Sequence, residues 1–187
     1  MIVLVGFSAS GKSTIEKILV NKGFVKITSY TTRPLRVKDN EVDGVAYHFI
    51  SDEDFDKKLN TDCFAENTSY NTVFGVWRYA SAKEDIDDNK VCVLNPDGLR
   101  QLKEHDDLNI VSFYIEVDED IIINRLIKRG DKKKEYERRL EADRNDFANI
   151  FDEVDYVING NELTAEELAD NILWLLNNGK DMTDEKF

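Results

Sequence analysis

Four consecutive apolar residues, Ile2 to Val5, run directly into Gly6-Phe7-Ser8-Ala9-Ser10-Gly11-Lys12-Ser13-Thr14, which fits the pattern G-x-x-x-x-G-K-[ST]. Beyond it Ile15, Ile18 and Leu19 share one helical face that ends at Gly23. A buried strand, a glycine-rich loop and an amphipathic helix in immediate succession leave few folds open. Such a loop works by aiming successive backbone N–H groups and a helix N-terminus at a phosphate. Its glycines let the backbone come close, Lys12 reaches the β- and γ-phosphates, and the Ser13 hydroxyl can ligate Mg²⁺. Small side chains at Ser8, Ala9 and Ser10 keep the lumen open. Ser8, Ala9, Ser10, Gly11, Lys12, Ser13 and Thr14 are therefore the candidate ligands of a nucleoside triphosphate, with Ser13 the candidate metal ligand.

The rest of the chain alternates in the same way. Val91 to Leu94, Ile110 to Ile115 and Val154 to Ile158 are short, β-branched and nearly continuous, as strands covered on both faces should be, and Phe24 to Thr28 is a plausible fifth. Between them, Ser81 with Glu84 and Thr164 with Glu167 have capping-box spacing, and Ser51 precedes Asp52, Glu53 and Asp54 where a helix start favours negative charge. A last helix near Ala165 to Asn177 presents Leu168, Ile172 and Leu175 on one side. The pattern predicts an α/β fold with a central parallel sheet between helices, three layers in all. Residues 29–80 interrupt it with short alternating segments and turn residues, as a small insertion does, and residues 125–144 are dense in charge.

The chain has 187 residues, one domain's worth, and a formal net charge of −13. That field repels polyanions, so nucleic acid and membrane surfaces are excluded as general partners. Against it, residues 22–38 hold Lys22, Lys26, Arg33, Arg36 and Lys38 and no acidic residue. Arg33 and Arg36, spaced three apart, suit bidentate binding of a phosphate, with Ser29, Thr31 and Thr32 as neutral donors. Cys63 and Cys92 both sit in apolar runs and read as buried thiols of a reducing compartment. With no apolar run near the ~18 residues of a membrane span and no basic, apolar leader, the expected location is cytoplasmic. A monomer and a dimer are both compatible with this sequence.

The string Ser29-Tyr-Thr-Thr-Arg-Pro-Leu-Arg36, continued by Glu41-Val-Asp-Gly-Val-Ala-Tyr-His-Phe-Ile-Ser51, closely resembles the nucleotide-monophosphate segment of the guanylate kinase family. Cys63-Phe-Ala-Glu66, Phe74-Gly75, the Val93-to-Gly98 strand end, Arg125-to-Gly130, Arg138-Arg139-Leu140-Glu141-Ala142 and Asp155-to-Leu163 follow in the family's order. The resemblance implies a P-loop NTPase-type core (residues 1–28, 81–124 and 145–187), a small mixed GMP-binding insertion (29–80) and a lid (125–144). It implies ATP-dependent phosphorylation of GMP and dGMP, with ATP as donor, Mg²⁺ as cofactor and GMP and ATP as the small-molecule substrates. Carried over by position, it makes Ser29, Arg33, Arg36, Tyr47, Glu66, Phe74 and Asp97 the GMP-binding set. Glu66 would accept from the adjacent N–H donors that guanine alone presents. Lys12, Arg33, Arg125, Arg129 and Arg139 become the catalytic set, Arg138 standing in for Arg139 in an alternative register. Arg125 and Asn159 join the ATP-binding set.

The chemistry so implied is positioning plus charge neutralisation, with no general base required, so His48 and His105 are expected to be surface or packing residues. Three departures from the family pattern stand out. Phe74-Gly75-Val76 replaces a segment with two hydroxyls, which Thr72 or Ser69 could replace. Asn95-Pro96-Asp97 has an amide where a first carboxylate is usual. Lys38-Asp39-Asn40-Glu41 is a small insertion. They motivate two alternatives: a related kinase with another nucleoside monophosphate or a phosphorylated sugar as acceptor, and, in a different class, a non-catalytic binding module.

Overall fold

In the computed structural model, which describes residues 1–37, 40–72 and 75–179, the Ile2-to-Val5 run is strand β1 (Ile2–Val5), buried along its whole length. It lies at the centre of a five-stranded sheet with β2 (Val25–Lys26), β7 (Lys90–Val93), β8 (Val111–Glu116) and β9 (Tyr156–Asn159), in the order β2-β7-β1-β8-β9. Every pairing is parallel, with Ile2 opposite Val91 on one side and Val111 on the other.

Strand alternation sorts the core into two layers. Ile2 and Leu4 face Ile15 and Leu19 of α1 (Lys12–Asn21), Ile122 and Leu126 of α4 (Glu119–Arg129), and Leu168 and Ile172 of α7 (Ala165–Asn178). Val3 and Val5 face the opposite way, onto Leu99 and Leu102 of α3 (Pro96–Lys103) and onto Phe147 and Ile150, the latter in the short α6 (Ile150–Glu153). Truncating one of these fully buried side chains to Ala would cost about 2–5 kcal/mol. Helix α1 ends in a Schellman motif: the Gly23 N–H donates to Val20 O and the Phe24 N–H to Leu19 O, both at 3.1 Å.

Residues 30–82 build a second, mixed sheet. Its order is β4-β3-β6-β5, from β3 (Tyr30–Thr31), β4 (His48–Phe49), β5 (Phe64–Thr72) and β6 (Gly75–Ala82). Helix α2 (Asp52–Asn60) covers it by inserting Phe55 against Phe64, ring centroids 4.8 Å apart. The Ser51 side chain caps α2 by accepting from the Asp54 N–H, and the Thr164–Glu167 capping box forms at α7.

Four details differ from the sequence expectations. The Ser81–Glu84 capping box does not form: Ser81 is fully buried inside β6, paired across from Glu66, and only a single 3₁₀ turn follows. Strand pairing with β5 outweighs the local cap. The edge strand expected over 24–28 is confined to Val25–Lys26. Strand β9 begins at Tyr156, because the Val154 N–H closes α6 onto Ile150 O and the Asp155 carboxylate accepts from the Ser112 N–H. Cys92 is buried, but Cys63 is half-exposed, its sulfur 3.2 Å from the Thr61 hydroxyl. His48 stacks on Tyr30, and His105 Nε2 lies 3.0 Å from Ala65 O. Among the described residues no helix is long and apolar enough to cross a membrane.

Candidate active site

The phosphate loop rises from β1 and closes on α1. A Cβ at Gly6 would sit 2.8 Å from Ser10 Oγ and 2.9 Å from Ile115 O, so no side chain fits there. Gly11, at φ 109°, caps α1 in a left-handed conformation that points the first N–H groups of the helix outward. Ala9 to Thr14 line a cavity of about 410 Å³, together with Arg125, Arg129, Leu163, Ala165 and Leu168. A second cavity, of about 400 Å³, is lined by Asn159, Asn161, Glu162 and Leu163. Lys12 Nζ turns back into the loop and donates to Gly6 O and Phe7 O, each at 2.7 Å. Desolvation lowers its pKa to about 8, although Asp143 pulls the other way. An anionic ligand would reverse that shift. Arg125 Nη1 donates to Ala9 O and Ser10 O at 3.2 and 3.0 Å, which fixes the guanidinium on the loop.

Arg33 is almost fully buried, and its fork is engaged by Glu41: Nη1 donates to Oε2 at 2.9 Å and Nη2 to Oε1 at 2.7 Å. The same carboxylate accepts from the Arg36 N–H at 2.7 Å. The hydrogen bond from Arg33 accordingly holds Glu41 below the usual carboxylate range. The Arg33 guanidinium lies over the rings of Tyr47 and Phe49, at 5.2 and 5.4 Å, and Tyr47 meets Tyr79 edge-on at 5.7 Å. Arg36 reaches over Trp77 at 5.8 Å. Lys22, by contrast, is tied to Glu166 and Asp170 at 2.9 Å each, on the far side of α1, and contributes nothing to this pocket.

Where β5 meets α3, Glu66 and Asp97 come together. Glu66 is 3 % exposed, its Oε2 has no hydrogen-bond partner, and burial pushes its pKa up to about 7 against the pull of its Ser81 hydrogen bonds. A Cβ at Gly98 would stand 3.0 Å from that oxygen. Ser29 Oγ lies 3.4 Å from Ser81 Oγ, so Ser29 belongs to the same corner. Asp97 Oδ2 accepts from Gln101 Nε2 at 2.9 Å, and that amide also donates to Asn67 O at 2.8 Å. Asn95 caps α3 by accepting from the Gly98 N–H at 2.9 Å, while its Nδ2 donates to Thr68 Oγ1 at 3.2 Å. A carboxylate could supply the cap but could meet Thr68 only by accepting from its hydroxyl, whereas the amide donates and leaves that O–H free to bond elsewhere.

Helix α5 (Lys133–Asp146) follows α4 through Gly130. Arg129 Nε donates to Asp131 at 3.1 Å, and Arg139 donates to Glu135 at 2.9 Å and to Asp131 at 3.4 Å. Arg138 is held by Glu135 as well, at 3.0 Å. Arg129 thus borders the larger cavity, whereas Arg139 is not among its lining residues. The GMP-binding candidate Phe74 lies outside the described residues, as do Lys38 and Asp39. Sequence reasoning missed Glu41 as the partner of Arg33, Gln101 as the anchor of Asp97, and Asp143 beside the loop. Only Glu41 carried a signal, as one of the two acids, Asp39 and Glu41, that first follow the two arginines.

The family model described as guanylate kinase matches residues 1–173. Guanylate kinase from Clostridium perfringens is 32% identical over 163 residues, 84% of this chain and 71% of that protein. The one from Helicobacter hepaticus is 30% identical over 175 residues, 90% and 86% of the two chains. The crystal structure of guanylate kinase from Anaplasma phagocytophilum superimposes with a TM-score of 0.72 at 24% identity, covering 96% of this chain and 85% of that one, a likeness of fold. With strand, loop and helix in place and the match spanning nearly the whole length, the chain belongs to the guanylate kinase family.

Proposed function

We propose that this chain transfers the γ-phosphoryl group of ATP to GMP, and to dGMP, releasing ADP and the diphosphate. The observation that carries the acceptor is Glu66: a buried carboxylate with one unpaired oxygen is costly unless a ligand supplies donors. The N1–H and exocyclic amine of guanine are an adjacent donor pair of that kind, and Asp97 lies beside it. Arg33, Arg36 and Tyr47 take the acceptor phosphate, with Ser29 below. Two of the five Arg33 N–H donors are on Glu41, so Glu41 yields or shares them when the phosphate arrives.

The triphosphate takes the loop N–H groups of Ser8 to Thr14, with Lys12 and Arg125 as its nearest cations, and the base lies toward Asn159. Lys12 near pKa 8 becomes fully charged on meeting the phosphates. Mg²⁺ fits the chemistry of this donor set: Ser13 lines the phosphate-loop cavity, and an ion that keeps its waters and substrate phosphates needs little more than one hydroxyl oxygen from the protein. When bound there it supplies charge neutralisation at the phosphates. Residues 29–80 act as the acceptor-binding part and 125–144 as the lid, Arg129 and Arg139 entering as it closes and water is excluded. Two unpaired thiols suit a cytoplasmic enzyme.

The test is ADP release from ATP with GMP, dGMP, AMP, UMP, dTMP and a ribose bisphosphate as acceptors. GMP is expected to give the highest kcat/KM of the ribonucleotides. A higher value with a non-guanine acceptor would overturn the assignment.

A further inference from the structure

One phosphate-loop donor already has an anion on it. The Ser8 N–H donates at 2.7 Å to Oδ2 of Asp143, which projects from α5. The contact joins residues 135 positions apart, so it is tertiary and not a local turn. The cations at the loop are likewise turned onto protein oxygens: Lys12 of the loop onto Gly6 O, Phe7 O and Ser10 Oγ, and Arg125 of α4 onto Ala9 O and Ser10 O. A carboxylate oxygen and a non-bridging phosphate oxygen are acceptors of the same kind for a backbone N–H. No basic side chain is paired with Asp143 at salt-bridge distance among the described residues, which leaves the Ser8 N–H as its hydrogen-bond partner and Lys12 and Arg138 as cations its field reaches.

We infer that Asp143 is an internal competitor for the anion-binding loop, occupying the Ser8 N–H in the nucleotide-free enzyme and setting donor affinity below what the loop itself allows. The inference rests on the proposed role of this loop as the ATP site. Because Arg138 and Arg139 stand on the same helix, the helix whose carboxylate leaves is the one that carries the lid arginines. Expelling Asp143 and releasing Arg139 from Asp131, which stands outside the helix, are then one rearrangement of α5, with Glu135 moving as part of the helix. A carboxylate retained against a polyanionic substrate raises KM for ATP and speeds departure of the product nucleotide.

The experiment measures Kd for a non-hydrolysable ATP analogue with Mg²⁺ by titration calorimetry, on the full chain. Asp143→Asn is compared with wild type and with Asp146→Asn, a carboxylate one turn further along α5. The inference predicts binding about tenfold tighter in Asp143→Asn, the size expected from removing one like charge at a partly exposed site, and a change under threefold in Asp146→Asn. GMP affinity should stay within twofold in both. Unchanged or weaker analogue binding in folded Asp143→Asn would overturn the inference, because a merely structural bond to the loop loses affinity when cut. Equal tightening in both variants would also overturn it, by showing a general charge effect. If Asp143→Asn does not fold, Asp143→Ser carries the same comparison. Failure of wild type to bind the analogue at all would instead refute the donor site.

Discussion

Replacing Glu66 by Gln has two effects of opposite sign. The substitution keeps shape in a corner where a Cβ at Gly98 would already stand 3.0 Å from Oε2, and it removes the charge. In the folded chain the carboxyl is raised from 4.5 to about 7, chiefly by burial. The folded state therefore holds this proton more tightly than the unfolded chain. The penalty on stability is absent below pH 4.5, grows as pH rises toward 7, and is complete above it. That difference corresponds to about 3 kcal/mol at pH 8. Burying an imperfectly paired amide returns about 1 kcal/mol of cost, so the variant should gain about 2 kcal/mol at pH 8. In a chain of this size that is about 4–8 °C in Tm, fading to nothing near pH 5 and turning into a loss of about 1 kcal/mol well below pH 4.5, where only the amide cost remains. Catalysis moves the other way. Two charge-assisted hydrogen bonds to guanine become one neutral bond and one donor facing a donor, a loss of about 3–5 kcal/mol, or roughly 10²–10³-fold or more in kcat/KM for GMP. Thermal unfolding at pH 5 and pH 8 with steady-state kinetics measures both. A variant destabilised at pH 8 would refute the burial argument, and one with kcat/KM within fivefold of wild type would refute the role in base recognition.

Other perturbations separate the acceptor pocket from the scaffold. Arg33→Ala should abolish GMP turnover while binding of an ATP analogue persists, and wild-type-like kcat/KM for GMP in the folded variant would remove Arg33 from the site. Thr164→Ala cuts the capping box of α7 and should cost about 1 kcal/mol in denaturant unfolding, with kcat for GMP unchanged. A stability change below ~0.3 kcal/mol would show that the cap is redundant with packing of Leu168 and Ile172.

The parts of the fold legible in the sequence are those decided within a few residues. Ile2 to Val5 could only be a buried strand, Gly6 to Thr14 could only bend one way, and Thr164 with Glu167 caps its helix without outside help. Ser81 and Glu84 carry the same spacing signal as Thr164 and Glu167, yet Ser81 is claimed by the ladder with β5, which local spacing does not encode. The candidate site divides along the same line. Lys12 and Ser13 follow from the loop string, whereas Glu66 became a site only by likeness to a family. The Arg33–Glu41 fork and the Ser8–Asp143 bond depend on how an irregular turn and a distant helix pack, so charge patterning alone showed a basic stretch and a charged segment and no more.

Discrimination between GMP and IMP tests base recognition by Glu66 most directly. IMP keeps the N1–H and lacks the exocyclic amine, so it leaves one Glu66 oxygen without a donor. One charge-assisted hydrogen bond is worth about 1.5–3 kcal/mol, so kcat/KM for GMP should exceed that for IMP by about 10–150-fold, with the difference lost in Glu66→Gln. Equal kcat/KM for the two acceptors in the wild-type enzyme would contradict the account.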